Sequence, residues 1–315
     1  MIIIGAGMAG LVAAHVLRRW EPAVWEAQPA LPDNHGALLR FRTDAVAHAT
    51  GIPFKKVNVQ KAVMWGGRLW QDFCPLPAQN AYAVKVSGKA TGRSIRDLSA
   101  GDRYIAPPDF LAQLARGANI TFGQRVTAEH IYPNAPIPLI STIPMPLLMG
   151  MVSWPDKPEF PHRPIWSFSA DLPSWVDLYQ TLYYPSPDTP YYRASITGRR
   201  LILEYSESEA PDARDCLEDL KAVVVHFGLG GYDAADELTD VRLTRQEYGK
   251  LLATDDAARR NFIVQMTDRF NVYSVGRFAT WRQILLDDVV NDCAVVNRFI
   301  TERSAYGRRL ATVRT

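Results

Sequence analysis

Apolar and polar positions along this chain fall into blocks whose period changes several times. The opening MIII is an unbroken apolar run, β-branched at its three isoleucines, which predicts a short strand buried on both faces. GAGMAG interrupts it, and MAGLVAAHVLRR resumes with good helix formers and a basic last turn, predicting a helix. AVWEAQ reads as a second strand ending at Glu26. PALPDNHGALLRFRTD is turn-rich and partly helical, and KVNVQKAVMW (56–65) alternates well enough for a strand. Residues 72–103 are polar and glycine-rich, the pattern of loops. APPDFLAQLARG (106–117) predicts a helix with prolines at its start, Asp109 in its first turn and a glycine at its end. NITFGQRVTAEHI reads as a strand pair or hairpin, and IPLISTIPMP (137–146) as an apolar strand running into a proline-bounded turn.

From Trp154 to about Tyr248 prolines and aromatics crowd together. YRASI and LILEY flank TGRR, a hairpin pattern, and PDARDCLEDLKAVVVHFGLGG is an amphipathic helix ended by glycines. Beyond it the pattern predicts a helix, the strand VYSVGR, a short turn and a long helix from about Ile284. The expected architecture is α/β. A Rossmann-like domain is built from both ends of the chain (1–150 and 249–315), with an inserted α+β domain at 151–248. Part of 50–105 lies over the active face in this scheme.

The 315 residues are 47% hydrophobic and 22% charged with a net charge of +2, ordinary for a globular enzyme and too weak a charge to imply nucleic-acid binding. Arginines do cluster at the end: Arg298, Arg303, Arg308, Arg309 and Arg314 against Glu302. That is either a solvated helix end or a contact for a polyanion such as DNA. Cys74, Cys216 and Cys293 are sparse and show no metal spacing, so no metal is expected and a reducing cytoplasm is. The glycines at 5, 7 and 10 cut the first apolar run, so neither a signal peptide nor a membrane span is expected there.

The first block carries chemistry. Gly5, Gly7 and Gly10 form GxGxxG between strand and helix: the first permits a tight turn, the second admits a pyrophosphate, the third lets helix pack on strand. The helix N-terminus then faces the phosphates. Glu26 stands where a carboxylate accepts hydrogen bonds from an adenosine ribose. Gly5, Ala6, Gly7, Met8, Gly10, Glu26 and Ala27 are therefore candidate dinucleotide contacts, against a plain tight turn with a surface glutamate. This motif does not separate FAD from NAD(P). Arg40 or Arg42 either reaches the pyrophosphate or lies at the surface.

The last block favours a flavin. A strand carrying Gly276 and Arg277, followed by a helix returning its N-terminus to the nucleotide, suits the N1–C2=O edge of an isoalloxazine. Gly276 admits the cofactor and Trp281 flanks it. The two ends together resemble the glutathione-reductase-type FAD superfamily, in its amine-oxidase and UDP-galactopyranose-mutase branch. GRFATWRQILLDDVV follows the mutase-type pattern without gaps, and ISTIPMP resembles the strand returning to the flavin. The resemblance implies backbone flavin contacts at Ile284 and Leu285, Arg277 near the ribityl-pyrophosphate and Val126 against adenine. Where many members carry Gly-Gly-Arg near the flavin, this chain has NHGALLRFRT. That segment, ISTIPMP and GRFATW together also resemble short bacteriophage flavoproteins, some of which accompany the hypermodification of thymine in DNA.

The implied cofactor is FAD, held non-covalently because no cysteine or histidine is placed for attachment. The implied reaction is oxidation of a C–N bond of an amine or amino-acid group, on a small, nucleotide-linked or thymine-linked substrate. It needs alignment and a dry pocket more than acid–base residues. The alternatives are a mutase-like, net non-redox enzyme of a nucleotide sugar, or another FAD oxidoreductase, desaturase or binding flavoprotein. Candidate catalytic groups are Lys250, Tyr192, Arg193 and His35. Lys250 holds a water near flavin N5 or is a surface lysine. Arg193 binds a substrate anion or makes a cross-strand ion pair. His35 touches flavin or substrate, or is a turn residue.

Overall fold

The computed structural model describes residues 1–31, 39–90, 95–206, 209–231 and 236–313, with side chains through Ser304. In chain order the strands are β1 (Ile2–Ile4), β2 (Ala23–Trp25), β3 (Arg40–Phe41), β4 (Lys55–Trp65), β5 (Arg68–Trp70), β6 (Gly101–Ile105) and β7 (Asn119–Thr121). They continue with β8 (Leu139–Ser141), β9 (His162–Asp171), β10 (Leu178–Tyr183), β11 (Tyr191–Gly198), β12 (Arg200–Tyr205), β13 (Thr239–Leu251) and β14 (Val272–Ser274). The helices are α1 (Met8–Val16), α2 (Ala45–Thr50), α3 (Leu76–Ser87), α4 (Phe110–Arg116), α5 (Met145–Met151), α6 (Ala213–His226), α7 (Asp256–Phe270) and α8 (Leu286–Val313).

The fold is the expected α/β one. Its first sheet is parallel throughout, in the order β14-β8-β1-β2-β7, so a strand from near the C-terminus lies two places from the first. Alternation along these short strands sends Ile3, Ile140 and Tyr273 into a core with Leu11 and Val12 of α1 and Val289 and Cys293 of α8. Ile4, Leu139 and Val272 point the other way, onto Met145 of α5 and Phe262 of α7. MIII is thus buried on both faces, as its composition demands.

The second sheet runs β13-β9-β12-β11-β10-β4-β6-β3, with β5 beside β4. It draws strands from 40–105 as well as from 162–251. One face packs on α6 through Leu182, Ala194, Leu201 and Leu203 against Cys216, Leu220 and Val223. Asp212 starts α6 by accepting the N–H groups of Arg214 and Asp215.

Two expectations are corrected. NITFGQRVTAEHI is no hairpin: β7 pairs in parallel with β2, and the N–H groups of Gly123 and Gln124 go to the carbonyls of Gln28 and Glu26. Residues 72–103 are not all loop, since α3 and the start of β6 lie there. Among the described residues no helix is long and apolar enough to cross a membrane.

Candidate functional site

Three turns meet at the C-terminal edge of the parallel sheet. In the first, Gly5 adopts φ +97°, and its N–H donates to the Trp25 carbonyl at 2.9 Å. A Cβ on Gly10 would overlap the Gly5 carbonyl oxygen, so helix and strand approach closer than any other residue permits. Gly7 differs: among the described residues nothing lies within 4 Å of where its Cβ would stand, and no side chain caps α1 behind it. That opening, faced by uncapped first-turn N–H groups, fits a pyrophosphate. The Glu26 carboxylate accepts from the Ala6 N–H at 2.7 Å and the Gln28 N–H at 2.9 Å, tying the end of β2 to the turn. Met8 is buried beneath the turn, and Ala27 is exposed beside it.

The second turn follows β14. Gly276 has φ +92°, and a Cβ there would stand 2.8 Å from Ala9 Cβ, so the two ends of the chain touch at α1. The Gly276 carbonyl accepts from the Thr280 N–H and hydroxyl, and Arg259 donates to the Thr280 carbonyl at 2.9 Å. Arg277 donates to the Gly249 carbonyl at 2.9 Å, linking this turn to β13. Trp281, 4% exposed with φ +46°, packs edge-on against Phe160, His162 and Tyr248, and its indole N–H has no partner among the described residues. Ser141 and Ser274, paired in register at this edge, also bury hydroxyls without partners among the described residues. Val126 is buried in the same cluster as Trp281. A strained tryptophan and orphaned polar groups beside a glycine-lined opening fit a cofactor that brings its own hydrogen-bonding atoms.

The third turn opens α8. Asp287 is buried and accepts from the Thr43 N–H at 3.0 Å and the Thr43 hydroxyl at 2.7 Å. Asp288 accepts from Leu285 N–H at 2.8 Å and pairs with Arg42 at 2.7 Å. The Ile284 N–H goes to the Arg282 carbonyl. Arg42 thus takes the surface placement of its two readings, half-exposed and paired with an aspartate, and the N–H groups of Ile284 and Leu285 are engaged within the chain.

Arg40 is also placed elsewhere than expected. Its guanidinium enters the second sheet and donates to Thr197 Oγ1 (2.9 Å), Thr181 Oγ1 (2.7 Å) and the carbonyls of Gln180 and Ile196. Burial, then the neighbouring Arg193, pushes its pKa down to about 9. With its donors spent on β10 and β11, it is not available to a pyrophosphate at the glycine turn.

That second-sheet face is polar and buried. Cross-strand register sets Tyr183, Arg193, Glu204, Ser167 and Thr244 in one row across five strands. A bulge between Tyr191 and Arg193 turns Tyr192 to the same side. Glu204, 6% exposed, pairs with Arg193 through both oxygens and accepts the Tyr192 hydroxyl at 3.0 Å. Lys250 lies 4.8 Å from the centre of the Tyr192 ring. Burial alone would raise the Glu204 pKa, but Arg193, Lys250 and its hydrogen bonds outweigh it and hold the carboxylate below its usual range. Burial, then Glu204, holds the Tyr192 phenol well above its own range.

The structure therefore gathers Lys250, Tyr192 and Arg193 in one cluster, and Arg193 takes the cross-strand ion pair of its two readings. His35 lies outside the described residues. Glu204, the centre of the cluster, is not among the candidates read from sequence. Its one signal was a carboxylate inside the apolar strand LILEY. Among the described residues no cluster of His, Cys, Asp and Glu could hold a metal.

No family model matches the chain, and no curated protein matches its sequence. Solved structures do resemble its fold. A reduced UDP-galactopyranose mutase superposes with a TM-score of 0.65 at 17% identity, over 95% of this chain and 93% of that one. An oxidoreductase from Methanosarcina mazei gives 0.56 at 12% identity, over 94% and 99%. A protein from Pyrococcus furiosus gives 0.56 at 11% identity, over 95% and 97%.

Proposed function

We propose that this protein is an FAD-dependent oxidoreductase that oxidises the C–N bond of an amine or amino-acid group. The contact of Gly276 with Ala9 is the observation that carries the reading. It brings a positive-φ glycine just after the last strand onto the helix behind GxGxxG, an arrangement a dinucleotide motif alone does not require. The opening at Gly7 would hold the pyrophosphate, and Glu26, whose oxygens keep spare acceptor capacity, the ribose. Bound there, FAD supplies an acceptor for a hydride. The chain's own part is to align a substrate carbon, keep the amine neutral and exclude water. Tyr82 packs edge-on against Tyr183 and tilted on Tyr192, giving the inward face a dry aromatic wall. Tyr192 stays a phenol at neutral pH and donates to Glu204, so it orients rather than takes a proton. Lys250, over the Tyr192 ring, would hold a water for hydrolysis of the imine that hydride loss leaves on the substrate.

The test is the visible spectrum of the anaerobic protein with a panel of amines, among them glycine adducts of thymidine and of thymine in DNA. Bleaching of the flavin band by an amine supports the reading. A band that persists with all of them, with UDP-hexose conversion after chemical reduction, would replace it. That second reading, a net non-redox nucleotide-sugar enzyme, draws on the likeness of the whole fold to a UDP-galactopyranose mutase. A DNA-linked substrate has less behind it: Arg303 of the basic tail is spent on the carbonyls of Thr267 and Asp268.

A further inference from the structure

The connection between β10 and β11 lies in YYPSPDTPYY, where Pro185, Pro187 and Pro190 leave the backbone few N–H groups to answer its own carbonyls. Those beside them are spent locally: the Asp188 N–H goes to Ser186 Oγ at 3.3 Å and the Tyr184 N–H to the Tyr192 carbonyl at 3.0 Å. The oxygens converge instead on one point, where the Lys85 ammonium stands. The carbonyls of Tyr184 (3.0 Å), Ser186 (2.7 Å), Thr189 (2.6 Å) and Tyr191 (2.7 Å) face it, with Thr189 Oγ1 at 2.9 Å. Lys85 sits in the last turn of α3, and its own carbonyl accepts from Arg163 Nη1 and Ser206 Oγ, each at 3.4 Å. An anchored helix end thus delivers the charge.

An ammonium has three N–H donors and cannot give each of five oxygens a straight hydrogen bond of its own. A spherical ion has no such limit, and a ring of carbonyl oxygens in place of a hydration shell is how proteins hold potassium. The oxygens here are neutral, whereas calcium and magnesium sites draw on carboxylates. We propose that this connection is a seat for a singly charged cation of the size of ammonium or potassium. In the native chain Lys85 fills it from within, and a free potassium ion takes the same place when that side chain is cut back. The seat fixes the entry to β11, where the bulge turns Tyr192 inward, so Lys85 is a positioning residue for that face.

The experiment follows the folding equilibrium of Lys85→Ala in urea, in potassium, ammonium and tetramethylammonium chloride at equal ionic strength. Potassium and ammonium are expected to restore stability saturably, the folding constant rising about tenfold at about ten times the ion's Kd. Tetramethylammonium, too bulky for the seat, restores none. Wild type and Lys85→Met, whose seats hold the ammonium or an uncharged chain, show no preference among the salts. Adding Thr189→Val to Lys85→Ala removes one oxygen of the seat and weakens the potassium effect several-fold. Equal stability of Lys85→Ala in the three salts overturns the proposal, as does an equal potassium response in Lys85→Met. The wild type offers a measurement that needs no folded variant. Held by these oxygens, the Lys85 ammonium protons exchange slowly with water and give a nitrogen-15 NMR signal that exposed lysines lack. That signal supports the seat even where Lys85→Ala does not fold, and a Lys85 ammonium exchanging as fast as exposed ones overturns it. No cofactor enters either measurement, so the outcome is independent of the flavoenzyme reading.

Discussion

Three glycines of one motif answer to different physics, and substitution separates them. Gly10→Ala drives a methyl into the Gly5 carbonyl and is expected to cost about 1–3 kcal/mol of stability by overpacking, read as a fall in Tm. At Gly7 a Cβ meets no described protein atom within 4 Å, so Gly7→Val is expected to keep the fold's Tm while FAD affinity falls about tenfold or more. Glu204 answers to burial. Glu204→Gln leaves the Arg193 charge unbalanced and is expected to cost about 3 kcal/mol by chemical denaturation near neutral pH. Because the folded pKa of Glu204 is lowered, its contribution is full above the ordinary carboxyl value of 4.5 and is lost as pH falls through the folded value. The gap between wild type and variant therefore narrows in acid, and a gap that widened there would contradict the pairing. The place of Glu26, at the end of β2 and tied to the glycine turn, was legible because strand, turn and acid lie within one local unit. Glu204 was not, because its partner is set by strand register and by a bulge that displaces Tyr192. Arg40 and Arg42 read as one basic turn, yet one enters the second sheet and the other meets α8.

Among the elements, α3 does the most to fix the inward face. The ammonium of Lys85 near its end donates to the carbonyls of Tyr184, Ser186, Thr189 and Tyr191, at 2.6–3.0 Å, and so clamps the connection that leads into the Tyr191 bulge. Lys85→Met removes these charge-assisted bonds and leaves carbonyls unanswered. A loss of about 2–3 kcal/mol is expected in denaturant unfolding, with weaker substrate-induced flavin perturbation; an unchanged midpoint would show that the loop holds itself. This helix escaped the sequence reading because its buried stripe is Ala78, Tyr82, Ala83 and Val86, too poor in large apolar residues to stand out from a loop. The strands at both ends were legible for the opposite reason. MIII and VYSVGR are short, apolar and bounded by glycine, and each is buried as such runs must be.

At the scale of the whole molecule, the parallel sheet closes only because β14 pairs with β8 and β8 with β1, so residues more than 250 positions apart build one edge. That closure was legible from the two glycine-bearing turns. The recruitment of 40–105 into the second sheet was not, since antiparallel pairing of β4 with β6 leaves no local signature. The cofactor is expected to be held without a covalent bond. Cys74 and Cys293 are buried with pKa values pushed by burial up to about 11 and about 12, which keeps both thiols protonated and unreactive. Acid precipitation should release FAD to the supernatant, and a yellow pellet would contradict this. The measurement that bears most directly on the account is the FAD content and FAD affinity of purified wild type and Gly7→Val, compared at equal Tm. Stoichiometric FAD in wild type that is lost from an intact variant is the predicted result. No flavin uptake by wild type, or equal uptake by both, would contradict it.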